Sequence, residues 1–351
     1  MKDELSILKQ FTLSEKEKES VVDTAEKLPD IDGLSATKEE LFSHHDNNDL
    51  ESEKITAPRY SYWKSVFRVF FKRKTNIIFL GLLGFIIIFA YIYPLIIGYN
   101  DDSPFVNVSD FTAWNLNPGD AIARFGFSLH YILGTGKQGQ PTFDYIWYGS
   151  SISISLGFVC AAINMTIGVI IGAIWGFSKK VDVVMTEVYN VVGNVPYVLI
   201  ITVLVLILTA SFWTMVFALT ITGWIGIAYF IRTQVIIIRD REYNLASRCL
   251  GTPILRLTMK NILPFMTSVI VLLLATEIPS YISMEVFLSF IGLGLDEMSL
   301  GKIIKDAQQV MEQQGREIQF WAPVVISALI TIVLYVVGQN LGDASDPRTH
   351  M

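Results

Sequence analysis

The sequence predicts an all-α membrane protein with six transmembrane helices and both termini on the cytosolic side. Three observations carry this. Only 17% of the 351 residues are charged, against roughly a quarter in ordinary soluble domains. Long charge-free runs recur between residues 76 and 342, several of them longer than the ~20 residues a helix needs to cross a bilayer. Finally, Lys and Arg collect in alternate loops, the pattern by which cytoplasmic segments are recognised.

Residues 1–58 form an acidic cytosolic tail. They hold fifteen Asp and Glu against seven Lys, a charge of −8, so the net −6 of the chain leaves +2 for the remainder. With Phe11 and Phe42 as their only aromatics, these residues lack the apolar surface to offset chain entropy and read as largely disordered. The run LSILKQF reads as a fluctuating turn rather than a docking helix. His44 and His45 have no further ligand nearby and do not read as a metal site. The first apolar run follows about seventy mostly polar residues, unlike a secretory signal peptide, and the N-terminus is expected to stay in the cytosol.

Residues 59–75 interleave Tyr60, Tyr62, Trp63, Phe67, Phe70 and Phe71 with Arg59, Lys64, Arg68, Lys72, Arg73 and Lys74. This is the pattern of an interfacial helix, with rings at headgroup level and cations towards anionic lipid. The transmembrane domain is placed at 76–342. Its first span is Asn76 to about Gly98, and the polar stretch 99–148, with only Arg124 and Lys137 as Lys or Arg, is assigned outside. The second span runs from Tyr145 through Ser178 and repeats Gly168, Gly172 and Gly176 every four residues, a stripe that admits close helix approach in lipid.

Lys179, Lys180 and Asp182 mark a cytosolic turn. Val188 to Ile231 then carries no charge for forty-four residues, which reads as two spans joined by an outer turn near Ser211–Thr214, the first kinked at Gly193 and Pro196. A polar segment, 233–264, is assigned to the cytosol. The fifth span is placed from Phe265 to about Met284, interrupted by Glu277 and Pro279. An outer loop at 285–317 precedes the last span, Ile318 to Gly342, and 343–351 is a cytosolic C-terminus. On this layout fifteen Lys and Arg lie inside beyond the tail and five outside.

Several chemistries are excluded. GTGKQ at Gly134 lacks the phosphate-loop spacing, because the first glycine would fall at Tyr131 and Gln138 follows the lysine. Ser150 and Ser151 have no intramembrane histidine base, since His44, His45, His130 and His350 all lie outside the spans. Cys160 and Cys249 fall at different depths and read as unpaired. Glu277 and Glu285 are the only carboxylates at the fifth span and are candidate translocation-path residues. Glu285 reads rather as a structural group.

The most distinctive stretch is Arg239 to Pro264. Glu242, Leu245, Ala246, Cys249 and Leu250 recur at helical spacing, predicting a short helix over about 241–250 that Gly251 terminates. Ile254, Leu255, Leu257, Ile262 and Leu263 continue as a second amphipathic piece, with Pro264 where a first helical turn tolerates it. Such a helix, held between two spans, can seat in a groove of a partner and transmit movement.

E-Y-x-x-A-S-x-x-L-G followed by N-I-L-P resembles the EAA loop of binding-protein-dependent ABC importer permeases, and more narrowly the dipeptide, oligopeptide and nickel subfamily and its C-type oligopeptide permease. KRKTN before the first span, HYILGT at His130, GFSKKVD, MEVFLSFIGLGL at Met284 and GDASDPR match that subfamily in order over about residues 60–349. Leu245 stands where the motif has its initial glutamate, and Ser247 where it has its second alanine. GKQGQPTFD follows the outer LGT in place of an aspartate-rich motif.

The resemblance implies a type I ABC importer transmembrane fold and a non-catalytic permease subunit of a bacterial plasma membrane. That subunit would form half of a heterodimeric pore with a second permease subunit. It would be served by two cytosolic ATPase subunits, which bind ATP and Mg, and by an extracytoplasmic peptide-binding lipoprotein; this chain binds no cofactor. The residues carried over as ATPase-coupling are Glu242, Tyr243, Ala246, Ser247, Arg248, Leu250, Gly251, Thr252 and Pro264. Oligopeptides are the expected cargo. Dipeptides or a nickel chelate are the alternatives within the family, and an ATP-independent channel or secondary transporter the alternative outside it.

Overall fold

A computed structural model of the chain describes residues 62–98, 110–313 and 315–346. The acidic tail with LSILKQF, His44 and His45, the start of the 99–148 loop and the final PRTHM lie outside the described residues. The described residues are helical, apart from turns and one isolated bridge between Thr135 and Pro141.

Helix α1, Tyr62–Lys72, buries Val66 and Phe70 and leaves Trp63, Phe67 and Phe71 about half exposed. The Tyr62 hydroxyl donates to the Ser345 carbonyl at 2.7 Å, tying α1 to the end of the last helix. Helix α2, Lys74–Ile97, is the first span. It widens into a π turn at Ile88–Ile92 just before Pro94, because proline supplies no N–H to the carbonyl four residues back and its ring pushes that turn open.

The polar region after α2 contains α3, Pro118–Phe125, capped by Asn117. It is folded down onto the bundle. Gln319 donates to the Leu116 and Thr135 carbonyls at 2.6 and 3.0 Å, and Gly134 (φ +80°) lies so near the Leu116 carbonyl that a Cβ would sit 2.4 Å from it. Asp144, fully buried, accepts from the Tyr93 hydroxyl at 2.6 Å and lies 2.7 Å from His130 Nδ1. Burial and the neighbouring Asp144 carboxylate push the Tyr131 phenol above its ordinary range, as expected of a group whose charged form is disfavoured on both counts.

Helix α4, Thr142–Phe177, is the long second span. Helices α5, Lys179–Gly193, and α6, Tyr197–Ile207, form a pair bent by 74° at Gly193–Pro196. Helix α7, Phe212–Arg239, is a single span-length unit whose helix is broken at Ile221–Gly223. Helices α8, Glu242–Cys249, α9, Thr267–Phe290, α10, Leu300–Gln308, and α11, Glu317–Ala344, complete the chain. Among the described residues five helices are long and apolar enough to cross a membrane, or six where the bent α5–α6 pair is one span.

Three boundaries differ from the sequence reading. Helix α7 continues to Arg239, so the polar loop begins after 239 rather than at 233. Glu277 and Pro279 do not interrupt the fifth span. Pro279 is buried inside a continuous α9, and Gly338 of α11 packs on Ala275, whose carbonyl that proline leaves unbonded; a Cβ at Gly338 would fall 2.3 Å from the Ala275 Cβ. Neighbouring helices thus hold the proline turn in register. Helix α9 also runs to Phe290, so the loop placed at 285–317 starts later and contains α10.

The glycine stripe of α4 is where α7 lies. A Cβ at Gly168 would meet Ile227 at 2.7 Å, at Gly172 the Ala228 carbonyl at 2.5 Å, and at Gly176 the Arg232 carbonyl at 2.8 Å. Helix α5, by contrast, buries no residue. It is held by Asp182, which accepts from Arg232 Nε at 2.6 Å and from Trp175 Nε1 at 2.9 Å, and by Tyr189 stacked on Tyr229 at 4.3 Å.

Gly172→Ala forces the α4–α7 backbones apart and is expected to destabilise the full chain in mild detergent by about 1–3 kcal/mol. Gly84→Ala, with nothing within 4 Å of the new Cβ, should be neutral or slightly stabilising. Thermal unfolding of both variants checks the contrast. Asp182→Ala should raise amide hydrogen exchange across 179–193 while leaving 224–239 protected, and unchanged exchange in α5 would show that the Asp182–Arg232 pair does not anchor it.

Candidate functional site

The end of α7 is pinned before α8 begins. Arg239 Nη1 donates to the Gly176 carbonyl at 2.5 Å, binding the two helix ends together. Asn244 is fully buried, and its Nδ2 donates to the Ile238 carbonyl at 2.9 Å, while Asn261 Nδ2 reaches Asn244 Oδ1 at 3.4 Å. The polar side chain at 244 therefore turns the chain from α7 into α8 and ties α8 to the π turn at Thr258–Ile262 on the returning side of the loop. Arg241 and Arg248 lay their guanidinium groups over Phe265 and Phe177, at 5.0 and 5.8 Å from the ring centroids.

Helix α8 ends in a Schellman motif. Gly251 N donates to the Arg248 carbonyl at 2.9 Å and Thr252 N to the Ser247 carbonyl at 3.1 Å, with Gly251 at φ +80°. The left-handed conformation explains the glycine. Ile254–Leu257 then passes through a π turn at Thr258–Ile262 into a short turn, Leu263–Phe265, with Pro264 at its start. This π turn again precedes a proline, for the same steric reason as in α2.

The side chains that sequence periodicity placed on one face of α8 all face outward. Glu242, Leu245, Ala246 and Cys249 are exposed, and Leu250 is 87% exposed. Tyr243 and Arg248 are exposed beside them, Ser247 is half-buried with its hydroxyl on the Tyr243 carbonyl, Thr252 is half-buried and Pro264 is exposed. Apolar periodicity is ordinarily the mark of a core-facing stripe. Here the stripe faces away from the bundle and the buried residue is the polar Asn244, which sequence reasoning missed together with Asn261 and Arg239. A polar residue in a polar helix carries no sequence signal of burial. Its role appears only once the Ile238 carbonyl lies beside it.

The two acidic candidates separate. Glu285 is fully buried and holds three elements together: it accepts from Ser153 Oγ of α4 and Ser289 Oγ of α9, both at 2.8 Å, and Ser153 Oγ in turn accepts from Leu300 N of α10 at 3.1 Å. It is shut away from solvent, so among the candidate path residues it is a fastening and not a lining group. Glu277 is half-buried and lines a cleft of about 330 Å³ with Tyr197, Thr222, Ser280, Tyr281 and Met284. The cleft lies at the break in α7, where Tyr197 donates to the Leu219 carbonyl at 2.7 Å and Asn164 donates to Tyr281 Oη at 2.6 Å.

Residues 165–351 match the family described as binding-protein-dependent transport system inner membrane component. Residues 61–118 match the N-terminal TM domain of oligopeptide transport permease C. The chain is 45% identical over 321 residues to the oligopeptide transport system permease protein AmiD of Streptococcus pneumoniae, covering 90% of this chain and all of that protein. It is 30% identical to both the dipeptide permease DppC and the oligopeptide permease OppC of Bacillus subtilis, each over 88% of this chain and 93% or 97% of the relative. The glycine stripe of α4 with the α7 it packs on, the fastened carboxylate of α9 and the exposed loop helix all fall within residues 165–351, and the chain belongs to the binding-protein-dependent transport system inner membrane component family, with the type I ABC permease fold.

Proposed function

We propose that the chain is one of two permease subunits of a heterodimeric pore that imports oligopeptides across a bacterial plasma membrane. Two cytosolic ATPase subunits binding ATP and Mg, and an extracytoplasmic peptide-binding lipoprotein, complete the assembly. The observation that carries this reading is an outward-facing apolar stripe on a short helix fixed at both ends to membrane spans. Water disfavours such a stripe unless a partner covers it. Helix α8 and the tail are then cytosolic with both termini, and the 99–148 region and the loop after Phe290 face outside, a reading supported by the excess of cations around 59–74, 179–180 and 239–260.

In this reading Glu242, Tyr243, Ala246, Ser247, Arg248, Leu250, Gly251, Thr252 and Pro264 form or shape the surface that meets an ATPase. ATP-driven closure of the ATPase pair shifts α8. Because Arg239 and Asn244 fasten α8 to α7 and α4, the shift is passed to the spans rather than lost in the loop. The pore turns outward, accepts peptide from its binding protein, and returns after hydrolysis, an alternating-access cycle. The 45% relative is named for oligopeptides, which favours that cargo over the dipeptides named in one of the 30% relatives. Glu277 and its cleft lie on the transport path.

Ala246→Arg puts a long cation where a methyl group meets the partner, at about 1–3 kcal/mol for overpacking, or a loss on the order of tenfold to a hundredfold in coupled transport. Gly251→Pro removes the N–H that closes the Schellman motif, with a similar outcome. Both variants should insert in the membrane normally yet lose uptake of labelled peptide and stimulation of ATP hydrolysis. Wild-type uptake by Ala246→Arg would sink the coupling assignment.

A further inference from the structure

The cleft at the break in α7 presents acceptors without a cation to meet them. Its walls hold no Lys, Arg or His, and none of the ion pairs among the described residues reaches Glu277. A carboxylate at membrane depth without a counter-charge is costly, and such groups mark substrate or ion paths. The broken helix is a second, independent sign, since irregular backbone within a span is tolerated where it lines a cavity and such breaks accompany binding sites.

The surrounding groups turn this into a directed site. Two carbonyls at the break are occupied: Leu219 accepts from Tyr197 and Asn164, and Ile221 from Trp224 Nε1 at 3.1 Å. Asn164 donates to Tyr281 Oη, which leaves the Tyr281 proton to be given onward and its position fixed. Gly223 admits this arrangement, because a Cβ there would stand 2.8 Å from Asn164 Nδ2 and 3.1 Å from Tyr281 Oη. The half-helix Phe212–Thr220 also ends at the cleft with its C-terminus, the negative end of its dipole.

We propose that this cleft is a recognition site for a primary ammonium group, with Glu277 as its counter-charge and Tyr281 and Asn164 as positioning residues. The group it takes is the free amino terminus of the translocated peptide, the one cation every unmodified peptide carries whatever its sequence. The proposal rests on the reading of this chain as a peptide permease. It adds that the membrane subunit itself, and not the binding protein alone, holds the peptide by one end during passage.

The test uses the complete importer in proteoliposomes, with its binding protein, and labelled tetra-alanine with a free or an acetylated amino terminus. Binding-protein selectivity is common to all reactions and cancels when each variant is compared with wild type. Glu277→Gln should lower uptake of the free-amino peptide about tenfold or more, the loss expected for a charge-assisted contact, change N-acetyl uptake less than twofold, and be rescued by Glu277→Asp. A tetrapeptide bearing a photoreactive group beside its ammonium should label α7 or α9 around the cleft in wild type and fail to do so in Glu277→Gln, a readout that decides the matter even if wild type moves no acetylated peptide. Equal loss of both peptides, wild-type uptake by Glu277→Gln, sodium-dependent uptake indifferent to acetylation, or labelling elsewhere would overturn the proposal. Absence of any uptake by wild type would instead count against the importer reading.

Discussion

The approach of the α4 and α7 backbones is the contact on which the rest of the molecule depends. In lipid the hydrophobic effect does not drive helices together, and close packing of small residues takes its place. Gly168, Gly172 and Gly176 bring α7 near enough that a methyl group at Gly172 would overlap the Ala228 carbonyl. The crossing sets where α7 ends, and there Arg239 reaches the Gly176 carbonyl. Helix α8 starts three residues further on, so its position is referred directly to the longest span of the bundle.

The same economy appears at the other carboxylate-bearing helix. Helix α9 is fastened to α4 and α10 through Glu285 and to α11 through the Ala275–Gly338 contact. Between these two fixed points it carries Glu277 into the cleft beside the α7 break. Motion entering at α8 therefore meets α7 on one side and, through the Pro264 turn, α9 on the other. On the proposed reading both walls of the cleft respond to the displacement of one short helix.

Much of the fold was legible in the sequence, because lipid imposes simple rules: charge-free length, cation asymmetry and glycine spacing. The stripe at 168–176, the kink at Gly193–Pro196 and the short helix ended by Gly251 each followed from one local feature. What was not legible depended on tertiary neighbours. Pro279 reads as a breaker until Gly338 is packed against it. Glu277 and Glu285, eight residues apart, look alike in sequence, and only the serines on α4 and α9 make one a fastening while the α7 break leaves the other in an open cleft. Asn244 was missed because burial of a polar residue in a polar helix has no periodic signature.

The central claim is that the outward face of α8 is a docking surface. Cys249 lies exposed on that face, whereas Cys160 is fully buried in the bundle, so the native chain carries a single reporter thiol and an internal control. The most direct measurement is the rate of maleimide labelling of Cys249 in the chain alone and in the complex assembled with its ATPase subunits. A docked α8 predicts a fall in labelling of about tenfold or more, the scale of a contact contributing ~1.4 kcal/mol of protection, with Cys160 unlabelled throughout. Equal labelling of Cys249 in both states would contradict the account.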